Sequence, residues 1–237
     1  MQRRRYLAPS QEGNSTVEML HSLWLNKYRS QPMREILKQQ TLFALLHEGL
    51  EATLKDNNPW WRGERIFGLP ELRRWAFGPV MTGLEKGLAP ITVLRGPRQI
   101  GKTTLLNQAI DTLLARGIAP KRIFRVQFDD LPLLRKVEEP ILELSRWFAE
   151  SILGKSLSRA ANEGEQAFIF LDEVQNLPDW APQLKHLVDI NPVRVLVTGS
   201  SALRIEAGRD SLAGRISTLE MGPLLLREIS DLRRFGR

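Results

Sequence analysis

The stretch Ile91-Thr92-Val93-Leu94-Arg95-Gly96-Pro97-Arg98-Gln99-Ile100-Gly101-Lys102-Thr103-Thr104 organises the rest of this chain. Ile91 to Leu94 are apolar or β-branched and predict a short buried strand. Gly96 to Thr103 then fits G-x-x-x-x-G-K-[ST] at every fixed position. Leu105, Leu106, Ala109, Ile110 and Leu113 continue at helical spacing. Strand, glycine loop and helix are the context in which backbone N–H groups cradle phosphate at a helix N-terminus. Lys102 is placed to reach the β- and γ-phosphates, and the Thr103 hydroxyl to hold Mg²⁺. Gly96, Pro97, Arg98, Gln99, Ile100, Gly101, Lys102, Thr103 and Thr104 form the expected nucleotide-binding set.

Working outward, strands alternate with helices. The expected strands are Arg122–Phe128, Ala167–Leu171, Val193–Val197 and Ser217–Met221. Helical stretches are expected over Glu138–Leu153, Lys155–Asn162 and Trp180–Val188, and a further helix from Pro70, ended or broken by Gly78-Pro79. This alternation predicts an α/β fold with a parallel sheet covered by helices on both faces. At the other end, Ser15-Thr16-Val17-Glu18 fits a capping box and opens a helical pattern, restarted near Pro32. The expected division is a disordered basic tail over 1–14, a helical extension over 15–57 and the core over 58–237. Asp56-Asn57-Asn58-Pro59 is the boundary turn. Next to it, Trp60 and Trp61 beside Arg62 and Arg65 are read either as packing or as a platform for a base.

Composition bounds the remaining classes. With 237 residues, 42% hydrophobic and 26% charged, the chain suits one α/β domain plus an appendage. No apolar run reaches membrane-span length, and no apolar segment follows Arg3-Arg4-Arg5. The absence of cysteine excludes disulfides, thiolate metal sites and a cysteine nucleophile. The expected compartment is cytoplasmic, without a membrane partner. A net charge of +7, spread along the chain, admits nucleic acid as a partner without requiring it.

Hydrolysis requires carboxylates near the phosphate loop. Asp172-Glu173 ends the expected strand over Ala167–Leu171, at the sheet edge where both can reach one cleft. Asp172 is the expected Mg²⁺ ligand through water, and Glu173 the base for the attacking water. Thr198, at the end of the next strand, is expected to contact the γ-phosphate or that water, with Ser200 as the alternative. Arg215, in Ser211-Leu212-Ala213-Gly214-Arg215, is the candidate for stabilising charge on the γ-phosphate. Arg209 is its alternative, and an ordinary surface arginine remains open.

With these residues in place, the chain resembles the AAA+ branch of P-loop ATPases, in particular prokaryotic AAA ATPases of the AAA_14 and DUF4143-associated family. The resemblance runs from about Asn58 to Leu226 and rests on NPWW, ITVLRGPRQIGKTTLL, FIFLDEVQNLPDW, VLVTGSSA, SLAGRI and PLLLREI. It implies a sheet ordered 5-1-4-3-2, with ATP and Mg²⁺ as cofactors. Lys102 and Thr103 are the implied ligands, Asp172 and Glu173 the acidic pair, Thr198 the sensor and Arg215 the finger. The family's lid and DUF4143-type domain are expected to be absent from 58–237, which weakens the expectation of turnover. The implied function is Mg-dependent ATP hydrolysis driving a conformational change or assembly on a macromolecule, within a homo-oligomeric ring or filament. The alternative is a nucleotide-gated binding module with little turnover, with nucleic acid as a candidate partner.

Overall fold

A computed structural model describes residues 49–200 and 212–235. These residues belong to the compact unit spanning Gly49–Arg237. The expectations for residues 1–48, and those for Ser201, Arg209 and Ser211, lie outside the described residues.

Five strands form one parallel sheet: β1 (Ile91–Arg95), β2 (Ile123–Gln127), β3 (Phe168–Asp172), β4 (Arg194–Gly199) and β5 (Ile216–Glu220). Their order is β2-β3-β4-β1-β5, the expected 5-1-4-3-2 read from the other edge. Every residue of β3 is buried. This explains its continuous apolar run, because a parallel strand covered on both faces has no wet side to alternate with.

Alternate side chains feed two cores. Ile91, Val93, Ile169, Leu171, Val195 and Val197 face one cluster, packed by helices α3 (Pro140–Phe148) and α5 (Trp180–Ile190). Leu94, Phe168, Phe170 and Leu196 face the other, packed by α1 (Phe77–Lys86) and α2 (Lys102–Ala115). Each such side chain, fully buried, contributes about 1.5–3 kcal/mol before chain entropy is counted. Between α3 and α5 lie a π-helical turn (Ala149–Leu153) and the short helix α4 (Leu157–Asn162), and the last element among the described residues is α6 (Leu226–Phe235).

The open edge of β2 is covered by local polar chemistry. The Asn58 side chain accepts from Arg125 N (2.7 Å) and donates to Arg125 O (2.8 Å), standing in for a neighbouring strand. Trp60 and Trp61 both donate their indole N–H to Ile123 O, at 3.1 and 2.9 Å. Trp61 also stacks on Phe124 and Phe148. The base-platform reading of these tryptophans is therefore replaced by packing: their polar handles and ring faces are spent on the edge strand. Residues 49–57 are helical, and Leu54 is buried in the same core.

The expected helix from Pro70 does not form. Residues 70–74 are irregular, and α1 begins only at Phe77. Tertiary partners take the backbone groups a helix would have used: Gln108 Nε2 donates to Pro70 O (2.7 Å) and Leu72 O (2.9 Å). Gly78-Pro79 falls in the first turn of α1, where a missing N–H costs no intrahelical bond, so it opens the helix rather than ending it.

Candidate nucleotide site

The parallel sheet places the carboxyl ends of β1, β3 and β4 side by side, and the predicted residues gather there. β1 pairs with β4 up to Arg95 and Gly199, and β3 with β4 up to Leu171 and Val197. Asp172, Glu173 and Thr198 therefore emerge next to the loop that follows Arg95.

Loop geometry follows from its glycines. A Cβ on Gly96 would lie 2.1 Å from Met221 O and 2.6 Å from Ile100 Cδ1, so no other residue fits. Gly101 caps α2 at φ 93°, a left-handed conformation that L side chains resist. Lys102, the first residue of α2, is only 4% exposed. Its Nζ donates to Gly96 O (3.1 Å) and Pro97 O (2.8 Å), and lies 3.6 Å from Glu173 Oε1. Arg98 and Gln99 are exposed on the loop, while Thr103 and Thr104 are half-buried at the start of α2.

The acidic pair is organised by Thr198, which is fully buried. Its hydroxyl donates to Asp172 Oδ1 and accepts from the backbone N–H of Glu173 (3.1 Å). That hydroxyl is committed to the two acidic residues rather than open to the cleft, so the expected direct contact with phosphate or water gives way to a positioning contact. Arg125 on β2 sits 3.7 Å from Asp172 Oδ2, and burial lowers the pKa of its guanidinium while the Asp172 charge opposes that shift. Glu173 has φ 55° and ψ 44°. Such a backbone conformation is costly for a non-glycine residue and typical of functional positions. Burial pushes the Glu173 carboxyl up, but hydrogen bonds with Gln175 and Ser200 and the charge of Lys102 prevail and hold it below its ordinary value. Gln175 spans the two, donating to Glu173 Oε2 and to Ser200 Oγ (3.0 Å).

Beside the loop lies a cavity of about 450 Å³, lined by Leu72, Arg74, Ile100, Gln108, Pro223 and Leu232 among others. Arg74 crosses its wall. Nε donates to Glu228 Oε1 (2.9 Å), Nη1 to Ile100 O (2.5 Å), and Nη2 to Gly222 O (2.9 Å) and Pro223 O (3.0 Å).

Arg215 is not brought to this cleft within the chain. Its carbonyl accepts from Ile91 N (3.1 Å), at the amino end of β1, and its guanidinium pairs with Asp189 at 2.5 and 3.0 Å. The phosphate loop follows the opposite end of the strand, about 16 Å away at the usual rise per residue. Within one chain the sheet therefore separates Arg215 from the phosphate loop.

Among the described residues no group of three or more His, Cys, Asp or Glu could hold a metal by itself. The oxygens of Thr103 and Asp172 nonetheless suit Mg²⁺, which keeps several waters and takes one or two protein ligands beside phosphate. Sequence reasoning assigned no role to Arg74, Gln108, Arg125, Gln175 or Glu228. Gln175 and Glu228 lie inside the DEVQ and PLLLREI motifs, which marked them without naming a partner.

A five-stranded parallel sheet in the order 5-1-4-3-2, with a glycine loop after β1 and an acidic pair at the end of β3, defines a nucleotide-binding P-loop protein of the AAA+ kind. The chain belongs to the AAA domain family (AAA_14), which matches residues 89–230, more than half of it. It is 32% identical over 146 residues to the uncharacterized protein Rv2008c of Mycobacterium tuberculosis, covering 60% of this chain and 27% of that protein. It is 30% identical over 145 residues to the uncharacterized protein MJ1637 of Methanocaldococcus jannaschii, covering 61% and 28%. The chain thus spans well under half the length of these relatives. Among solved structures, a Walker-type ATPase of Pyrococcus abyssi shares the fold at a TM-score of 0.50 and 13% identity, over 69% of this chain and 57% of that one. AMPPCP-bound DnaA from Aquifex aeolicus aligns at a TM-score of 0.42 and 20% identity, over 72% and 54%. Among the described residues no helix is long and apolar enough to cross a membrane.

Proposed function

We propose that this chain binds ATP with Mg²⁺ and hydrolyses it, using the energy to change conformation or assemble on a macromolecular partner. The observation that carries the proposal is the convergence of Lys102 and Glu173, 3.6 Å apart and both largely buried beneath the glycine loop. A cation and a carboxylate kept this close beneath the loop suit a site in which Lys102 takes an anion and Glu173 a water.

In this reading the N–H groups of Gly96 to Thr104 surround the phosphates and the dipole of α2 adds to them. Lys102 exchanges the carbonyls of Gly96 and Pro97 for β- and γ-phosphate oxygens. The Thr103 hydroxyl and Asp172 would hold Mg²⁺. The ion, when bound, neutralises charge on the phosphate oxygens. Glu173 takes the proton from a water as its oxygen attacks the γ-phosphorus and the bond to the β-phosphate oxygen breaks, leaving ADP and phosphate. Thr198 keeps Asp172 and Glu173 in register without touching the substrate. The cavity bounded by Leu72 and Gln108 is the place for the base. Arg215 reaches a γ-phosphate only in a neighbouring copy, which favours a homo-oligomer built through the ATP sites.

A second reading, a nucleotide-gated binding module with little turnover, draws on the engagement of Glu173 by Gln175 and Lys102. In that case the net charge of +7 favours nucleic acid as the partner. Measured binding of ATP with Mg²⁺ to the wild type and to Lys102→Ala tests the shared basis of both readings. Lys102→Ala is expected to abolish binding, and equal affinity of the two proteins would remove it. Turnover by the wild type then favours the first reading, and salt-sensitive retention on DNA without turnover favours the second.

A further inference from the structure

The first proposal leaves one heavily bonded, buried charged pair, Arg74 and Glu228, without a role. Arg74 and Glu228 lie 154 positions apart, and their side chains are 10% and 3% exposed. Glu228 is the third residue of α6, and its two oxygens serve different segments. Oε1 accepts from Arg74 and from Trp75 N (2.7 Å), while Oε2 reaches back to Leu225 N (2.7 Å), the residue before the helix. The second contact satisfies an otherwise orphan donor at the helix start. One carboxylate therefore ties the segment around residue 75 to the amino end of α6. Burial alone would raise the Glu228 carboxyl, but the N–H groups of Leu225 and Trp75, together with Arg74, hold it below its ordinary value and keep it ionised.

The opposite end of Arg74 meets the phosphate loop. Its Nη1 donates to Ile100 O, the carbonyl of the peptide that joins Ile100 to Gly101. That peptide is trans, so the Gly101 N–H is directed opposite to the Ile100 carbonyl. Capturing the carbonyl from the Arg74 side therefore turns this N–H away from Arg74. Orientation of one peptide in the phosphate cradle thus depends on a guanidinium that is itself held by α6.

Stability alone does not account for the pair. A buried ion pair seldom stabilises a fold more than apolar side chains of similar size would. Here the guanidinium bonds three separate pieces of chain: the loop at Ile100, the turn at Gly222 and Pro223, and Glu228 of α6. The same pieces wall the 450 Å³ cavity, whose lining includes Leu72, Arg74, Pro223, Leu224 and Leu232.

We infer that Arg74 and Glu228 form a latch that couples nucleotide occupancy to the docking of α6. Arg74 is a positioning residue for the phosphate loop, Glu228 holds Arg74, and a nucleotide on the loop favours the latched position of the helix. Coupling is reciprocal, so a loosened helix weakens nucleotide binding by the same factor that nucleotide tightens the helix. The inference rests on the proposed nucleotide site.

The test uses the full chain and β,γ-methylene ATP with Mg²⁺, reading affinity and hydrogen exchange at residues 226–235. In the wild type the analogue is expected to slow exchange across α6. Arg74→Gln is expected to weaken the analogue on the order of 10-fold, within the usual range of coupling factors, and to abolish its effect on α6. Glu228→Gln should do the same to a smaller degree. Arg74→Lys, which keeps a donor, should restore part of both. For turnover, KM should rise in Arg74→Gln with kcat little changed, a split that general destabilisation would not produce. If Arg74→Gln does not fold, Glu228→Gln carries the same two readouts. Wild-type affinity, or analogue-dependent protection of α6 that persists in the variant that folds, would overturn the latch. Failure of the wild type to bind the analogue would instead overturn the nucleotide site on which the latch rests.

Discussion

Thr198 donates its hydroxyl to Asp172 and accepts the backbone N–H of Glu173, so one buried side chain on β4 sets both acidic residues at the end of β3. The pairing of Leu171 with Val197 makes this contact a consequence of sheet register rather than of any local motif. A valine at position 198 would fill the same space and remove both hydrogen bonds. Thr198→Val is expected to lower ATP turnover about 10- to 100-fold, the usual cost of losing a group that orients a site residue. Thr198→Ser should recover most of the loss. Steady-state rates of the three proteins decide it, and an unaltered rate in the valine variant would show that the carboxylates hold their own positions.

Glu173→Gln should bind ATP normally yet turn it over at least about 100-fold more slowly, the scale of a missing general base. Because its partners hold the Glu173 carboxyl below its ordinary 4.5, the base stays ionised through that pH and its contribution fades only on further acidification. A pH–rate profile with a Glu173-dependent limb near neutrality would contradict the assignment.

Arg215 pairs with Asp189 at the end of the sheet remote from the phosphate loop, so any role in catalysis is exercised on another copy. Specific activity is then expected to rise with protein concentration, because an arginine supplied in trans is worth on the order of 10³-fold in rate. Arg215→Ala should bind ATP yet stay slow at every concentration. Mixing it with Lys102→Ala, which has an intact arginine but no working loop, should restore part of the activity. Concentration-independent turnover with no gain on mixing would leave Arg215 a surface residue paired with Asp189.

Asn58 supports the fold rather than the chemistry. Asn58→Ala strips partners from Arg125 N and Arg125 O on the edge strand and from Leu54 O. Each buried group left unsatisfied costs about 1–3 kcal/mol, so with three groups affected urea unfolding should show a loss of about 3 kcal/mol or more. Asn58→Asp, which keeps the acceptor and loses the donors, should fall between the two. A change of a few tenths of a kcal/mol would mean that water replaces the side chain at this edge.

Read by itself, the sequence determined whatever depends on neighbours along the chain. A β-branched run before Gly96, two glycines at motif spacing, Lys102 and Thr103 opening a helix, and Asp172-Glu173 closing an apolar run are local patterns. Their chemistry follows from backbone conformation and strand direction alone. The alternation of strands and helices likewise required a parallel sheet, because both faces of β3 had to be buried. Only the tertiary structure decided which distant groups meet. It gave the Thr198 hydroxyl to Asp172 and Glu173, the indoles of Trp60 and Trp61 to the carbonyl of Ile123, and Arg215 to Asp189. It also replaced the first turns of an expected helix with contacts to Gln108 and Glu228, since backbone groups at Pro70, Leu72 and Trp75 found partners across the fold. Hydrogen bonds and ion pairs act over about 3 Å in space whatever the separation in sequence. For that reason a latch such as Arg74–Glu228, whose partners stand 154 residues apart, leaves no mark on the chain until the sheet has brought its ends together.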